Sequence, residues 1–354
     1  MPDEITIIIP TYKESENLAE LINRIRKVTT ARIMIVDDSP DKSTVNIARD
    51  MDCMTVYRGQ KFGLSSAVLD GLKMTDSEKV IVMDADLQHP PEALPSLIKA
   101  LETNDFVVMS RYIPGGDCQE WDLDRKIISR VANLAARPIT SVKDAVSGFF
   151  GFHRKGLCGL PVLLDTINDK GFKIMLELLA KGEWGNIKEV PFTFGIRTRG
   201  DTKMRFEQVR EYLIQLVQLY IFKYRRIIKF MTVGASGAIV KLSLLLGIVE
   251  LTGLHYLAAY PLAFFAATAN NYFWNSHWTF KEKHSDIKGY FKYCGVSLFT
   301  LGINELTLFV LSTLIGIWYI YAAIVGIGIA FIFNFTLSRS HVWNSAKIKT
   351  ATNK

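Results

Sequence analysis

Cysteine is scarce in this chain: four residues, Cys53, Cys118, Cys158 and Cys294, none of them in C-x-x-C spacing. That leaves no disulfide framework and no thiolate zinc site to organise a fold, and a reducing, cytosolic setting is expected. No G-x-G-x-x-G and no P-loop occurs, which removes support for dinucleotide and P-loop chemistry. The N-terminus enters Glu4-Ile5-Thr6-Ile7-Ile8-Ile9 without a basic stretch or a long apolar run, so no signal peptide is expected. None of the six histidines has metal-ligand spacing, and all read as structural or interfacial. No basic, aromatic-interleaved surface marks a nucleic-acid binder. Charge is nearly missing from one region: between Met231 and Asn275 only Lys241 and Glu250 carry any.

What is present divides in two. Residues 1–226 mix apolar and charged segments as a soluble domain does, and long apolar stretches dominate from Ile227 onward. The formal charge of +7 concentrates partly beside the apolar stretches, at Lys223, Arg225, Arg226 and Lys229 and again at Lys281, Lys283, Lys288 and Lys292. Such clusters suit anionic lipid headgroups.

In the first half, apolar runs at residues 5–9, 32–36, 54–57, 80–82 and 106–109 read as strands. Helical patterns near 15–28, 43–49, 64–74 and 92–101 alternate with them. This α/β alternation predicts a mostly parallel sheet with helices on both faces. Ligands in such folds bind beyond the carboxyl ends of the strands. Pro10-Thr11-Tyr12-Lys13-Glu14 follows the first strand and Asp37-Asp38 the second. Each could serve a nucleoside, and each could equally be turn chemistry.

After the fourth strand come Asp84, Asp86 and Gln88 at every second position. If the chain stays extended there, the three side chains point the same way. Hard oxygen donors suit Mg²⁺ or Mn²⁺ shared with a diphosphate. The competing reading is an acidic turn that caps the next helix, with Pro90 and Pro91 in its first turn. Basic residues follow: Arg111 after the fifth strand, Arg125, Lys173, and a loop with Arg197, Arg199 and Lys203 beside Gly195 and Gly200. That loop could close over phosphates or could be a basic linker next to a membrane.

The second half begins with an amphipathic pattern. Phe206, Val209, Leu213, Leu216, Val217 and Tyr220 recur at helical spacing, expected to lie at a membrane surface, with a packed surface helix of the soluble domain as the alternative. Four apolar spans follow at about 229–251, 256–275, 291–315 and 318–338, each near the ~20 residues that cross a bilayer. The basic loops place both ends in the cytosol. Phe230-x-x-Val233-Gly234 recurs as Phe291-x-x-Cys294-Gly295, and Ser276-His277-Trp278 recurs near Ser340-His341-Val342-Trp343, as in a duplicated hairpin. Lys241, Asn270, Asn271, Asn304, Glu305 and Asn334 fall in or near the spans, as helix–helix glue or as the lining of a lipid-phosphate path.

Several of these stretches taken together resemble a known family. They are residues 8–18, Val36-Asp37-Asp38-Ser39-Pro40-Asp41, Gly63-Leu64-Ser65-Ser66-Ala67, Asp84-Ala85-Asp86-Leu87-Gln88-His89-Pro90-Pro91-Glu92, Ser110-Arg111-Tyr112 and Val146-Ser147-Gly148-Phe149-Phe150. The chain resembles the dolichol-phosphate mannose synthases, family 2 glycosyltransferases of the GT-A fold, over roughly its first 200 residues. The second half is similar to GtrA-like membrane domains. The resemblance implies a GT-A domain at 1–204, an interfacial helix at 205–227, a four-helix membrane domain at 228–343 and a cytosolic tail at 344–354. It implies inverting transfer of mannose from GDP-mannose to dolichyl or another polyprenyl phosphate on the cytosolic membrane face, with Mg²⁺ or Mn²⁺. Pro10, Tyr12, Glu14, Val36 and Asp38 would meet the guanosine, and Asp84, Ala85, Asp86 and Gln88 the donor, with Asp86 and Gln88 on the metal. Arg111 and Arg125 would hold the acceptor phosphate, and Lys173, Arg197 and Lys203 the diphosphate or the mannose. Because Asp38 abuts Ser39, where family members often have one more residue, the choice between Asp37 and Asp38 stays open. A phosphate acceptor is already anionic at neutral pH, so no dedicated general base is expected. A UDP-sugar donor and a lipid-flipping role for the second half are the alternatives.

Overall fold

A computed structural model describes residues 4–118, 121–157, 167, 173–195, 206–281 and 286–343. They form two compact units, residues 1–223 and 224–354. In the first unit the strands are β1 (Ile5–Thr11), β2 (Arg32–Asp37), β3 (Met54–Tyr57), β4 (Lys79–Val82), β5 (Phe106–Ser110), β6 (Asp117–Cys118), β7 (Phe150–His153), β8 (Ile187–Pro191) and β9 (Thr193–Phe194). Its helices are α1 (Ser15–Val28), α2 (Ser43–Asp50), α3 (Leu64–Met74), α4 (Leu94–Leu101), α5 (Leu123–Ala136) and α6 (Ile174–Lys181).

Seven strands pair in the order β3-β2-β1-β4-β7-β5-β8, and β6 and β9 make a small second sheet. Every pairing in the main sheet is parallel except those of β7 with β4 and β5. The two-residue period of a strand explains why its runs are apolar throughout. Ile7 and Ile9 of β1 face one layer with Leu18, Leu21 and Ile22 of α1, Ala48 of α2 and Leu94 and Leu97 of α4. Ile8, one residue out of step, faces Val68 and Leu72 of α3 and, farther along, Met175 and Leu178 of α6. Both faces are covered, as the alternation predicts. The sequence reading did not find β6, β7, β8, β9, α5 or α6, which lie beyond its fifth strand.

The expectation of an extended acidic stretch is not met. β4 ends at Val82, residues 85–87 bend, and Leu87 has φ +62°. A branched side chain in the left-handed region costs about 1–3 kcal/mol, and surrounding contacts must hold it there. The prolines also sit differently: Pro91–Ala93 form a separate 3₁₀ turn ahead of α4.

In the second part of the chain, α7 runs unbroken over Phe206–Thr252, from the first unit into the second. It is followed by α8 (Tyr256–Trp274), α9 (Ile287–Phe309) and α10 (Tyr319–Leu337). The last three continue into π-turns at Asn275–Thr279, Val310–Leu314 and Ser338–Val342. Among the described residues three helical stretches are long and apolar enough to cross a membrane: Val209–Thr252, Ile287–Leu314 and Tyr319–Val342. The expected count of four spans is therefore reduced to three candidates. The remaining helix, α8, carries Asn270 and Asn271, and Asn270 donates to Ser236 Oγ of α7 at 3.2 Å. The duplication is visible in the helix ends. The π-turns closing α8 and α10 are each followed by an aromatic residue, and those two rings, Phe280 and Trp343, stack at 4.5 Å. Trp343 Nε1 donates to Ser276 Oγ at 3.0 Å, and Phe230 and Tyr293 complete the buried cluster. This pairs Trp278 with His341, one residue away from the register in which the two serine–histidine pairs align.

The amphipathic segment at the start of α7 has two apolar faces. Tyr212, Leu216 and Leu219 are buried against Ala136, Ile139 and Leu176 of the first unit, whereas Val209, Leu213, Val217 and Ile221 are exposed.

Gly71 of α3 tests the packing of helix on sheet. A Cβ there would lie 2.8 Å from Ile8 Cγ2 and 3.3 Å from Val36 Cγ2, two fully buried side chains. Gly71→Ala gains about 1 kcal/mol of helix propensity but overpacks by about 1–3 kcal/mol. A lowered thermal midpoint of the full chain, read by circular dichroism, is the expected result.

Candidate active site

β1, β2 and β4 are mutually parallel, and two antiparallel pairings through β7 bring β5 into the same direction. Their carboxyl ends therefore share one edge of the sheet. Tyr12, Asp37, the acidic loop and Arg111 all emerge there, where open α/β sheets bind ligands.

At the β1 and β2 ends the loops are tied together. Lys13, at φ +59°, donates its N–H to Ser39 Oγ at 2.8 Å. Thr11 Oγ1 and Ser39 Oγ donate to Asp37 Oδ1 at 2.9 and 2.7 Å. Asp37 is fully buried, and its Oδ2 has no hydrogen-bond partner among the described residues. Asp38 is committed differently. It accepts from Arg58 Nε at 2.6 Å and from the N–H groups of Phe62 and Gly63 at 2.9 and 3.0 Å. Arg58 in turn reaches Ser66 and Asp70 of α3. Pro10 and Glu14 are half-buried beside Tyr12, whose ring is 39% exposed with the Lys61 ammonium 4.9 Å away. Val36 is fully buried in the core, so only its backbone can meet a ligand.

The acidic loop is held by His89. Its Nδ1 accepts from the Asp84 N–H at 2.9 Å, and its ring packs among Phe149, Phe192 and Phe194. Burial pushes the imidazole down to about 4, so it is neutral at physiological pH and serves as an acceptor. The 3.7 Å approach of His89 to Asp84 Oδ2 is accordingly no ion pair. Ala85 is buried beneath the loop. The Gln88 N–H donates to Asp86 Oδ1 at 3.2 Å, which brings the two predicted metal ligands onto one turn. Gln88 also pairs with Gly195: its Nε2 donates to Gly195 O at 3.3 Å, and Gly195 N–H returns to Gln88 O at 2.8 Å. Gly148 lets the neighbouring loop approach, because a Cβ there would lie 2.9 Å from Asp84 Oδ2.

The cations gather on one aromatic ring. The guanidinium carbons of Arg111 and Arg125 lie 4.9 and 4.1 Å from the Trp121 ring centroid. Arg111 is nearly buried, and Asp144 takes three hydrogen bonds from it: backbone N–H at 2.9 Å, Nε at 2.8 Å and Nη2 at 2.7 Å. Burial works against the Arg111 charge, but the Asp144 bonds outweigh it and raise its pKa. Lys173 lies within electrostatic reach of Arg111, Asp84, Asp144 and Arg125, and burial first, then Arg111, lower it to about 8. Arg197 and Lys203 fall outside the described residues.

Thus Asp84, Arg111, Arg125 and Lys173 converge, Asp86 and Gln88 share a turn, and Tyr12 with Asp37 and Asp38 forms a separate flank. Sequence reasoning missed Asp144, Trp121 and Arg58. Asp144 and Arg58 lie far along the chain from their partners, so no spacing announces them. Trp121 sits four residues before Arg125, a helix-like interval that could have been noticed.

The donor set suits a hard divalent ion. Among the described residues no three His, Cys, Asp or Glu side chains group as a self-sufficient metal site. One carboxylate and one amide oxygen are what Mg²⁺ needs when substrate phosphates and water fill its other positions.

Asp144→Ala should leave the Arg111 charge buried and unpaired, at a cost of about 3–5 kcal/mol. The Arg111→Met, Asp144→Ala double variant should lose less than the sum of the two single variants in chemical denaturation.

Residues 6–158 match the model of glycosyl transferase family 2, and residues 229–343 match that of the GtrA/DPMS transmembrane domain. The dolichol-phosphate mannosyltransferase of Pyrococcus furiosus is 36% identical, over 96% of this chain and 99% of its own length. That of Saccharomyces cerevisiae is 38% identical, over 63% of this chain and 90% of its own length. Among solved structures, glucosyl-3-phosphoglycerate synthase from Mycobacterium tuberculosis overlaps 62% of this chain and 79% of its own with a TM-score of 0.43 at 20% identity. The full-length match to the Pyrococcus relative and the two domain matches make this chain a member of the dolichol-phosphate mannosyltransferases, membrane glycosyltransferases of family 2 that act on polyprenyl phosphate.

Proposed function

We propose that this enzyme transfers mannose from GDP-mannose to dolichyl or a related polyprenyl phosphate at the cytosolic membrane face, with inversion and with the help of Mg²⁺ or Mn²⁺. The observation that carries this reading is the gathering of Arg111, Arg125 and Lys173 beside the acidic loop at one sheet edge. Two phosphate-bearing substrates need such cations, and a membrane unit on the same chain would supply the lipid one.

Tyr12, with its exposed ring, would stack on the base, flanked by Pro10 and Glu14. The lone buried oxygen of Asp37 makes it the better candidate for a donor N–H of the base. Asp38 would act at one remove, by holding Arg58 and the turn before α3. Asp84 and the backbone at Ala85 would orient the sugar diphosphate. Asp86 and Gln88 would hold the divalent ion, which supplies Lewis-acid stabilisation of the departing GDP. Lys173, together with Arg197 and Lys203, would add fixed positive charge to the leaving diphosphate. Arg111 and Arg125 would present the acceptor phosphate to the opposite face of the anomeric carbon. That oxygen is anionic already, so positioning does the work a base does for an alcohol acceptor. In the membrane unit we propose α8 as a fourth span. Asn270 is bonded within the bundle, and the basic ends of the helices would then face the cytosol together.

Membranes incubated with polyprenyl phosphate, divalent ion and labelled GDP-mannose or UDP-glucose should put label into lipid from GDP-mannose alone. Entry from UDP-glucose alone would overturn the mannosyl assignment. Asp86→Ala should abolish the metal-dependent transfer. The lowered pKa of Lys173 gives a signed pH effect. A bound diphosphate favours the protonated amine, so donor affinity should fall as pH rises through about 8. Lys173→Arg should remove that dependence.

A further inference from the structure

α7 is pinned to the first unit by polar bonds on its buried face. Tyr212 OH donates to Ala132 O at 2.8 Å, Tyr220 OH to Ala135 O, and Lys223 Nζ to Ile139 O at 2.8 Å. Those three acceptors lie on α5, which carries Arg125, and just beyond it. The fourth anchoring residue points elsewhere. Gln215 Nε2 donates to the backbone oxygen of Lys173 at 3.1 Å and to Glu177 Oε1 at 3.3 Å. Glu177 is itself 1% exposed and paired with Lys181 at 2.6 Å.

Gln215 is fully buried on a helix face that otherwise packs through Leu216, Leu219 and the Tyr212 ring. Packing alone would be served better by leucine, because burying an amide is unfavourable unless its hydrogen bonds are made. Its Oε1 has no partner among the described residues, so the site keeps an amide for its N–H group alone. Lys173 stands at the entry to α6 with φ −121° and ψ 77°, outside helical geometry and without a side-chain cap. Within α6 the Leu176 N–H donates to the Lys173 backbone oxygen at 3.2 Å, and Gln215 gives that same oxygen a second donor from a helix that continues to Thr252.

We propose that Gln215 is a positioning residue for the transfer reaction: it holds the Lys173 backbone against α7 and so sets where the Lys173 ammonium meets the donor diphosphate. The proposal rests on the reading of Lys173 as a diphosphate ligand. It also makes the seating of α7, a helix with a candidate membrane span, a determinant of donor binding.

The test uses the full chain in lipid nanodiscs with labelled GDP-mannose, polyprenyl phosphate and Mg²⁺. Gln215→Met keeps the volume and deletes both bonds; it should lower kcat/KM for the donor about tenfold, mainly through KM. Tyr212→Phe removes a different α7 anchor, one that does not touch Lys173, and should leave donor KM within about twofold. The Lys173→Met, Gln215→Met double variant should be no worse than Lys173→Met alone, because the glutamine acts through the lysine. If Gln215→Met does not fold, Gln215→Asn, one methylene too short to span the gap, carries the same comparison. Wild-type donor KM in the Gln215 variant, or a loss that multiplies in full onto Lys173→Met, would overturn the proposal while leaving Lys173 in place. An unchanged donor KM in Lys173→Met would instead overturn the reading of Lys173, and Gln215 with it.

Discussion

A guanidinium can be buried at the end of a strand only if something meets its charge, and in this protein Asp144 does so with three hydrogen bonds to Arg111. The pair anchors one side of the site. Arg111 carries the Trp121 ring against it, the ring carries Arg125, and burial, reinforced by the resulting positive field, lowers the pKa of Lys173. Glu189 holds the backbone N–H groups of Lys143 and Asp144, so the pair is fixed from the far edge of the sheet as well. Without Asp144 the cations would have to expel Arg111 into solvent or distort around an uncompensated charge.

The opposite side of the site is fixed by acceptors rather than charges. A neutral histidine with its lone pair on the Asp84 N–H keeps the acidic loop in a bent form that includes a left-handed leucine. The aromatic box around His89 excludes water and keeps the ring from titrating near neutral pH. Gln88 then ties this loop to Gly195, where the basic segment with Arg197 begins. If Asp86 and Gln88 hold a divalent ion as proposed, these two protein oxygens leave the rest of the shell to substrate and water, so donor and metal would bind together.

In the membrane unit the same logic of satisfying polar groups applies in a drier setting. Asn270 bonds Ser236, Ser338 Oγ bonds Asn334 Oδ1, and Trp343 bonds Ser276. The duplicated helix ends stack Phe280 on Trp343, which gives the repeat a structural purpose: each hairpin supplies half of one aromatic plug.

The order of strands and helices through β5, the sheet edge that gathers the candidate site, the family and the membrane character of the second half were legible in the sequence. Buried strands must be apolar throughout, and spans must be long and uncharged, whatever their partners are. Tertiary structure decided what linear spacing cannot express. Asp84, Asp86 and Gln88 are not an extended ladder, because Leu87 turns the chain under the hold of His89. Asp37 and Asp38 differ through their partners: Arg58, twenty positions after Asp38, and the Phe62 and Gly63 N–H groups occupy Asp38, whereas one oxygen of Asp37 has no partner among the described residues. The amphipathic segment is both a packed face and an exposed one, since α7 meets the first unit along a single side. These outcomes depend on which distant groups arrive at the same place, and a buried charge or amide accepts only the partner that is there to meet it.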